Sequence, residues 1–143
     1  MTHAHQYLGI KPDRVIVTGD SAGGNFALGV TNRAIEREVR VPDGLILAYP
    51  ALNLDISKFS PSYFIALDNL IVPHTFLKLC LQAYIGDTDN DPATDYYISP
   101  LLTPEHILKQ FPPVRIMVGT EDPLHDDRLR FTERLYEADV DVR

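Results

Sequence analysis

The stretch Val15-Ile16-Val17-Thr18-Gly19-Asp20-Ser21-Ala22-Gly23-Gly24-Asn25 most constrains what this chain can fold into. A β-branched apolar run meets turn residues and then opens into helix-forming sequence. That is a buried strand, a sharp turn and a helix. Within it, Gly19-Asp20-Ser21-Ala22-Gly23 fits G-x-S-x-G, the pattern of a nucleophile elbow. A serine hydroxyl is a weak nucleophile by itself. It needs a base, an oxyanion site and a strained turn that pushes Oγ clear of the backbone. Gly19 and Gly23 are expected to be small because strand and helix pass close together there. The helix N-terminus brings backbone N–H groups and positive dipole beside Ser21. The same residues also read as a glycine-rich strand-to-helix turn that binds phosphate or nothing; the strand before and the helix after favour the elbow.

With 143 residues, one domain with a real core is the natural expectation, yet the length is short for the sheet such an elbow normally tops. The net charge of -7 argues against a nucleic-acid surface. Cys80 is the only cysteine, so no internal disulfide forms, a reducing compartment is allowed and a cytoplasmic location is expected. Among Leu77, Leu79 and Leu81 it reads as a buried helix residue. No apolar run approaches a membrane span. Residues 1–6 lack the basic start and apolar middle of a signal peptide.

In chain order, residues 1–10 read as the last turn of a helix stopped at Gly9, with His3 and His5 in a frayed end. Arg14 to Thr18 is a strand of the kind buried on both faces of a parallel sheet. A helix runs from Ser21 to about Glu38, with Leu28, Thr31, Ile35 and Val39 on its buried face. Leu45 to Tyr49 is a second strand, so strand, helix, strand makes a right-handed crossover. Residues 51–72 are an insertion with at most one short helix. Pro73 starts a helix over His74 to Ile85, with Phe76, Leu79, Cys80 and Ala83 as its apolar face and Gly86 as its stop. Asp87 to Pro104 is loop; its acidic residues lack the spacing of a calcium loop and read as solvated turn carboxylates. A short helix spans Pro104 to Gln110. Val114 to Val118 is the third strand. A helix over Arg128 to Ala138, capped by Asp126 or Asp127, carries Leu129, Thr132, Leu135 and Tyr136 as its stripe. Val140 to Arg143 begins another strand.

Reactive groups collect at the carboxyl ends of strands in such sheets. Ser21 follows the first strand and Asp122 the third. Asp122 fits the acid that holds a histidine tautomer; its plainer reading is a loop-capping aspartate. Glu121, Asp126 and Asp127 read as surface or capping groups. His3, His5, His74, His106 and His125 are all the histidines, and none follows the final strand, where a base is expected. His125 reads as the start of a helix rather than the base.

Gly19-Asp20-Ser21-Ala22-Gly23-Gly24-Asn25, Tyr49-Pro50, Ser99-Pro100-Leu101, Pro112-Pro113 and Asp122-Pro123-Leu124-His125-Asp126-Asp127 together resemble the hormone-sensitive lipase family of α/β-hydrolases. The resemblance runs from about Leu8 to Arg143. It implies an α/β fold, a mostly parallel sheet with flanking helices, and carboxylic-ester hydrolysis by a serine triad with no metal or cofactor. By motif, Ser21 resembles the nucleophile, Asp122 the acid, and the Ala22 N–H one oxyanion donor. The substrate class is a small-molecule or lipid ester, acylglycerols included, and contact with a lipid surface is compatible with it. The family's upstream His-Gly-Gly-Gly stretch and downstream histidine segment do not occur here. Residues 1–143 therefore resemble a single partial catalytic domain, its central-to-late portion, lacking the first strands.

Loss of a triad member typically costs about 10⁴ to 10⁶ in turnover. An uncovered first strand is an aggregation hazard. These residues alone are expected to be poorly stable and nearly inactive. Two further readings stand beside the esterase: a ligand-binding relative without catalysis, like the hormone receptors that resemble this family, and an inactive fragment that acts by associating with a full-length partner. Phe59, Tyr63, Phe64, Phe76, Tyr84, Tyr96 and Tyr97 either line an acyl pocket or pack the core.

Overall fold

Three parallel strands in the order β1-β2-β3 form the centre of the computed structural model, which describes residues 4–55, 57–58, 60–65, 67–86 and 89–143. His3, Phe59 and Asp87 lie outside the described residues. The elements are α1 (Ala4–Leu8), β1 (Ile16–Asp20), α2 (Ala22–Glu36), β2 (Gly44–Ala48), α3 (Pro61–Ile65) and α4 (His74–Ile85). They are followed by a 3₁₀ turn (Pro100–Leu102), α5 (Glu105–Leu108), β3 (Val114–Met117) and α6 (His125–Glu137). The expected fourth strand survives as its first step. Val142 bridges Val114 in parallel, and Ile116 N–H donates to the Arg143 carbonyl.

Register fixes which side chains share a face. Val17 pairs with Leu45 and Leu45 with Val114; Gly19, Leu47 and Ile116 form the next such row. These rows face one core made with Leu28 and Ile35 of α2, Leu108 of α5, and Phe131 and Leu135 of α6. The apolar runs predict strands covered on both sides. Here the described helices of the core lie on one side, and the opposite face leaves Ile16 52%, Ile46 44% and Met117 60% exposed. β1 forms the sheet edge.

β1 ends two residues later than its apolar run suggests, because its ladder continues through Gly19 and Asp20 to Leu47 and Ala48. α2 stops at Glu36, where Glu38 turns to φ 52° and Val39 N–H reaches back to the Ala34 carbonyl. Val39 is thus beyond the helix and exposed. Two helix faces are rotated from expectation. α4 buries only Leu81, and Phe76, Leu79 and Cys80 are exposed, so Cys80 is a free surface thiol rather than a core residue. α6 begins three residues early and buries Asp127, Arg128, Phe131 and Leu135, with Leu129 and Tyr136 in solvent. Of the expected stripe only Leu135 is fully buried.

Candidate active site

Ser21 sits between the last residue of β1 and the first of α2, with φ 50° and ψ −116°. A non-glycine residue at positive φ is strained and persists only where its surroundings over-determine it. The surroundings do so here. Ser21 N–H donates to the Ala48 carbonyl at 2.9 Å, and the Ser21 carbonyl accepts from Ala51 N–H at 3.1 Å. The chain therefore pins Ser21 between β2 and the segment after it, and leaves its side chain exposed.

Close approach makes this turn possible. A Cβ on Gly19 would lie 2.3 Å from the Gly23 carbonyl oxygen, and one on Gly24 would lie 2.7 Å from Pro50 Cβ. Gly23 is different: a Cβ there meets only Asp20 Oδ1 at 3.7 Å. The two tight glycines are 19 and 24, not 19 and 23. Asn25 then locks the helix start, its Nδ2 donating to the carbonyls of Ala51 (2.9 Å) and Ile98 (2.8 Å). Ala22 opens α2, so its N–H has no partner one turn back within the helix.

An apolar cavity of about 130 Å³ opens in front of this turn, lined by Ser21, Ala22, Asn25, Ala51, Leu54, Leu77, Cys80, Leu81, Tyr84 and Leu124. Of the aromatic candidates, Tyr84 lines it. Tyr63 is buried against His74, Tyr96 stacks on Tyr97, and Phe64 and Phe76 face solvent. A larger depression of about 520 Å³ along Leu67, Asp68, Asn69, Leu70, Pro73, His74 and Thr75 holds neither Ser21 nor Asp122.

Asp122 lies beyond β3, across β2 from Ser21, at the same carboxyl end of the sheet. Its Oδ1 accepts from Leu124 N–H at 2.8 Å, which closes the turn that starts α6. The same oxygen is 2.8 Å from Arg128 Nη1, an ion pair rather than a well-aimed hydrogen bond. Oδ2 accepts no hydrogen bond among the described residues. His125 does not meet it: its Nδ1 lies 2.9 Å from the Gly119 carbonyl.

The other carboxylates of the motif hold the neighbouring helix. Asp126 accepts from Ser62 N–H at 2.9 Å, and Ser60 Oγ donates to Asp127 at 2.5 Å. Asp127 is buried rather than a surface cap, and no side-chain cap bond is formed at the start of α6. Desolvation raises the Asp127 pKa, with the Ser60 bond opposing it. The folded chain then holds this proton more tightly than the unfolded chain, so Asp127 destabilises the fold as pH rises from below the ordinary carboxylate range through its raised value. Against an Asp127→Asn variant, wild type is expected to gain relative stability as pH falls through that window, measured by urea unfolding. A difference that does not vary with pH would contradict the burial effect.

Sequence reasoning missed Arg128. It is 2% exposed, and burial pushes its guanidinium pKa down while Asp122 pulls it back up. The signal was available: Arg128, Phe131, Leu135 and Ala138 recur at spacings of three and four, one position off the stripe that the apolar residues suggest. Among the described residues, no group of three histidine, cysteine or acidic side chains could hold a metal ion, and no helix is long and apolar enough to cross a membrane.

The whole chain, residues 1–143, matches the family described as the alpha/beta hydrolase fold. The chain belongs to the alpha/beta hydrolase fold family. Within the family it is similar to an esterase of Acinetobacter venetianus, 35% identical over 134 residues, which cover 94% of this chain and 42% of that protein. It is also similar to hormone-sensitive lipase of Ictidomys tridecemlineatus, 43% identical over 89 residues, 62% of this chain and 12% of the lipase. Among solved structures it superimposes on brefeldin A esterase, a bacterial homologue of human hormone-sensitive lipase. The TM-score is 0.81 at 29% identity, covering 98% of this chain and 40% of that one. The chain thus spans less than half the length of these alpha/beta hydrolase relatives.

Proposed function

We propose that this chain carries the nucleophile and the acid of a serine carboxylic-ester hydrolase, within a single partial catalytic domain. The observation that carries the reading is Ser21 at φ 50° between strand and helix, its side chain on an apolar cavity. Relatives named esterase and lipase support it. Ser21 Oγ attacks the ester carbonyl. The oxyanion that forms is met by the Ala22 N–H at the positive end of α2. The alcohol leaves, an acyl-enzyme remains on Ser21, and water releases the acid. The apolar cavity wall of Leu54, Leu77 and Leu81 suits the acyl chain of a small or lipid ester, and no cofactor takes part. The reading requires a histidine base at Asp122 Oδ2, and no histidine among the described residues donates to that oxygen. His125, the first residue of α6, is not assigned as the base, because its ring meets the Gly119 carbonyl.

The test is pre-steady-state. The native polypeptide that contains these residues, mixed with p-nitrophenyl acetate, is expected to release a burst of one p-nitrophenol per chain before steady turnover. That Asp122 meets no histidine among the described residues favours one second reading, a cavity that binds a small apolar ligand without catalysis. Saturable ligand binding with no burst would select it.

A further inference from the structure

Arg128 is the largest fully buried side chain among the described residues, and a guanidinium is seldom buried unpaired. Its matching is specific. Nε donates to the Pro50 carbonyl at 3.0 Å, Nη2 donates to the Tyr49 carbonyl at 2.9 Å, and Nη1 is 2.8 Å from Asp122 Oδ1. Among the described residues, no other carboxylate forms an ion pair with Arg128. Asp127 is engaged by Ser60, and Asp126 by the backbone of Ser62.

The two carbonyls are not arbitrary acceptors. Tyr49 adopts φ 38° at the end of β2, and its N–H donates to the Met117 carbonyl at 2.8 Å. One residue on either side of Tyr49-Pro50, the chain grips Ser21. Ala48 accepts from Ser21 N–H, and Ala51 N–H donates to the Ser21 carbonyl. The turn that Arg128 clamps is therefore the turn that holds the nucleophile's backbone. One rigid planar fork spans from that turn to the acid.

We propose that Arg128 is a positioning residue: it braces Asp122 against the Tyr49-Pro50 turn, fixing Oδ1 to the protein frame so that Oδ2 is the oxygen offered to the base histidine. The proposal rests on the reading of Asp122 as the acid. With Oδ1 held by Leu124 N–H and Arg128, the carboxylate has one orientation, and the distance between acid and nucleophile is set by a side chain rather than by a loop. Reacting groups displaced by about 1 Å can lose roughly 100-fold in rate. Lysine offers a point charge in place of the fork, so it can reach Asp122 or one carbonyl but not all three acceptors.

The test compares kcat and KM for p-nitrophenyl acetate in the native polypeptide. Arg128→Met is expected to lower kcat by about 10- to 100-fold with KM within about twofold, and Arg128→Lys to recover part of the loss. Leu135→Ala, a core change on the same helix that does not touch Asp122, supplies a destabilised control. Assayed below both unfolding midpoints, it is expected to keep kcat within about threefold of wild type. Arg128→Met with wild-type kcat, or Leu135→Ala with an equal loss, would show a structural pin only and overturn the proposal. A wild type with no turnover would instead overturn the esterase reading, and the brace with it.

Discussion

In the native polypeptide that contains these residues, Ser21→Ala is expected to lower ester turnover by about 10⁴- to 10⁶-fold while the chain folds as before, because the proposed nucleophile would act as a unit with its acid and base. The Ser21 side chain is exposed, and its hydroxyl has no hydrogen-bond partner among the described residues. What holds the turn is backbone: the bonds from Ser21 to Ala48 and Ala51, which alanine keeps. The stability change is therefore expected within about 0.5 kcal/mol, the range of surface substitutions. Steady-state kinetics with circular dichroism on the same sample check both halves. A variant that loses activity by unfolding would contradict the separation of turn and nucleophile.

The second large effect is structural. Gly19→Ala puts a methyl 2.3 Å from the Gly23 oxygen, 2.4 Å from the Gly23 carbon and 2.7 Å from the Gly24 nitrogen. All three are backbone atoms, so no rotamer change relieves the clash. β1 and α2 must separate, and Ser21 stands at their junction. A cost of about 3 kcal/mol is expected, at the upper end of overpacking penalties. For a chain of this size that lowers the unfolding midpoint by roughly 10 °C. Gly23→Ala is the contrast. Its added methyl meets an ordinary 3.7 Å contact, its φ is not positive, and it lies in the first turn of α2. It is expected to be neutral or to stabilise by about 0.4–1 kcal/mol through the unfolded chain. Thermal unfolding of the two variants side by side checks the contrast, and equal losses would contradict it.

The turn and its order of elements were legible because strand, glycine and helix signals agree there at every level. The three strands, the short helix within 51–72 and the glycine stop of α1 were legible for the same reason. Helix faces were less so. In α6 the chain buries an arginine and an aspartate, and a reading that seeks apolar residues inside slides one position to Leu129 and Tyr136. The guanidinium belongs inside only because Tyr49, Pro50 and Asp122, distant in sequence, converge on it. α4 misled in the opposite way. It is apolar on more than one side, so Phe76, Leu79 and Cys80 read as core though Leu81 alone is buried. Asp127 reads as a cap from its place in the chain, and its burial is matched by Ser60, distant in sequence and just before α3. Each miss is a tertiary partner overriding local pattern.

The most direct test of the Ser21 assignment is covalent. The native polypeptide is treated with a fluorophosphonate and digested, and the adduct is located by mass spectrometry. One phosphonyl group on Ser21, absent from Ser21→Ala, is the expected result. A folded chain that takes no adduct, or takes it at another residue, would contradict the assignment.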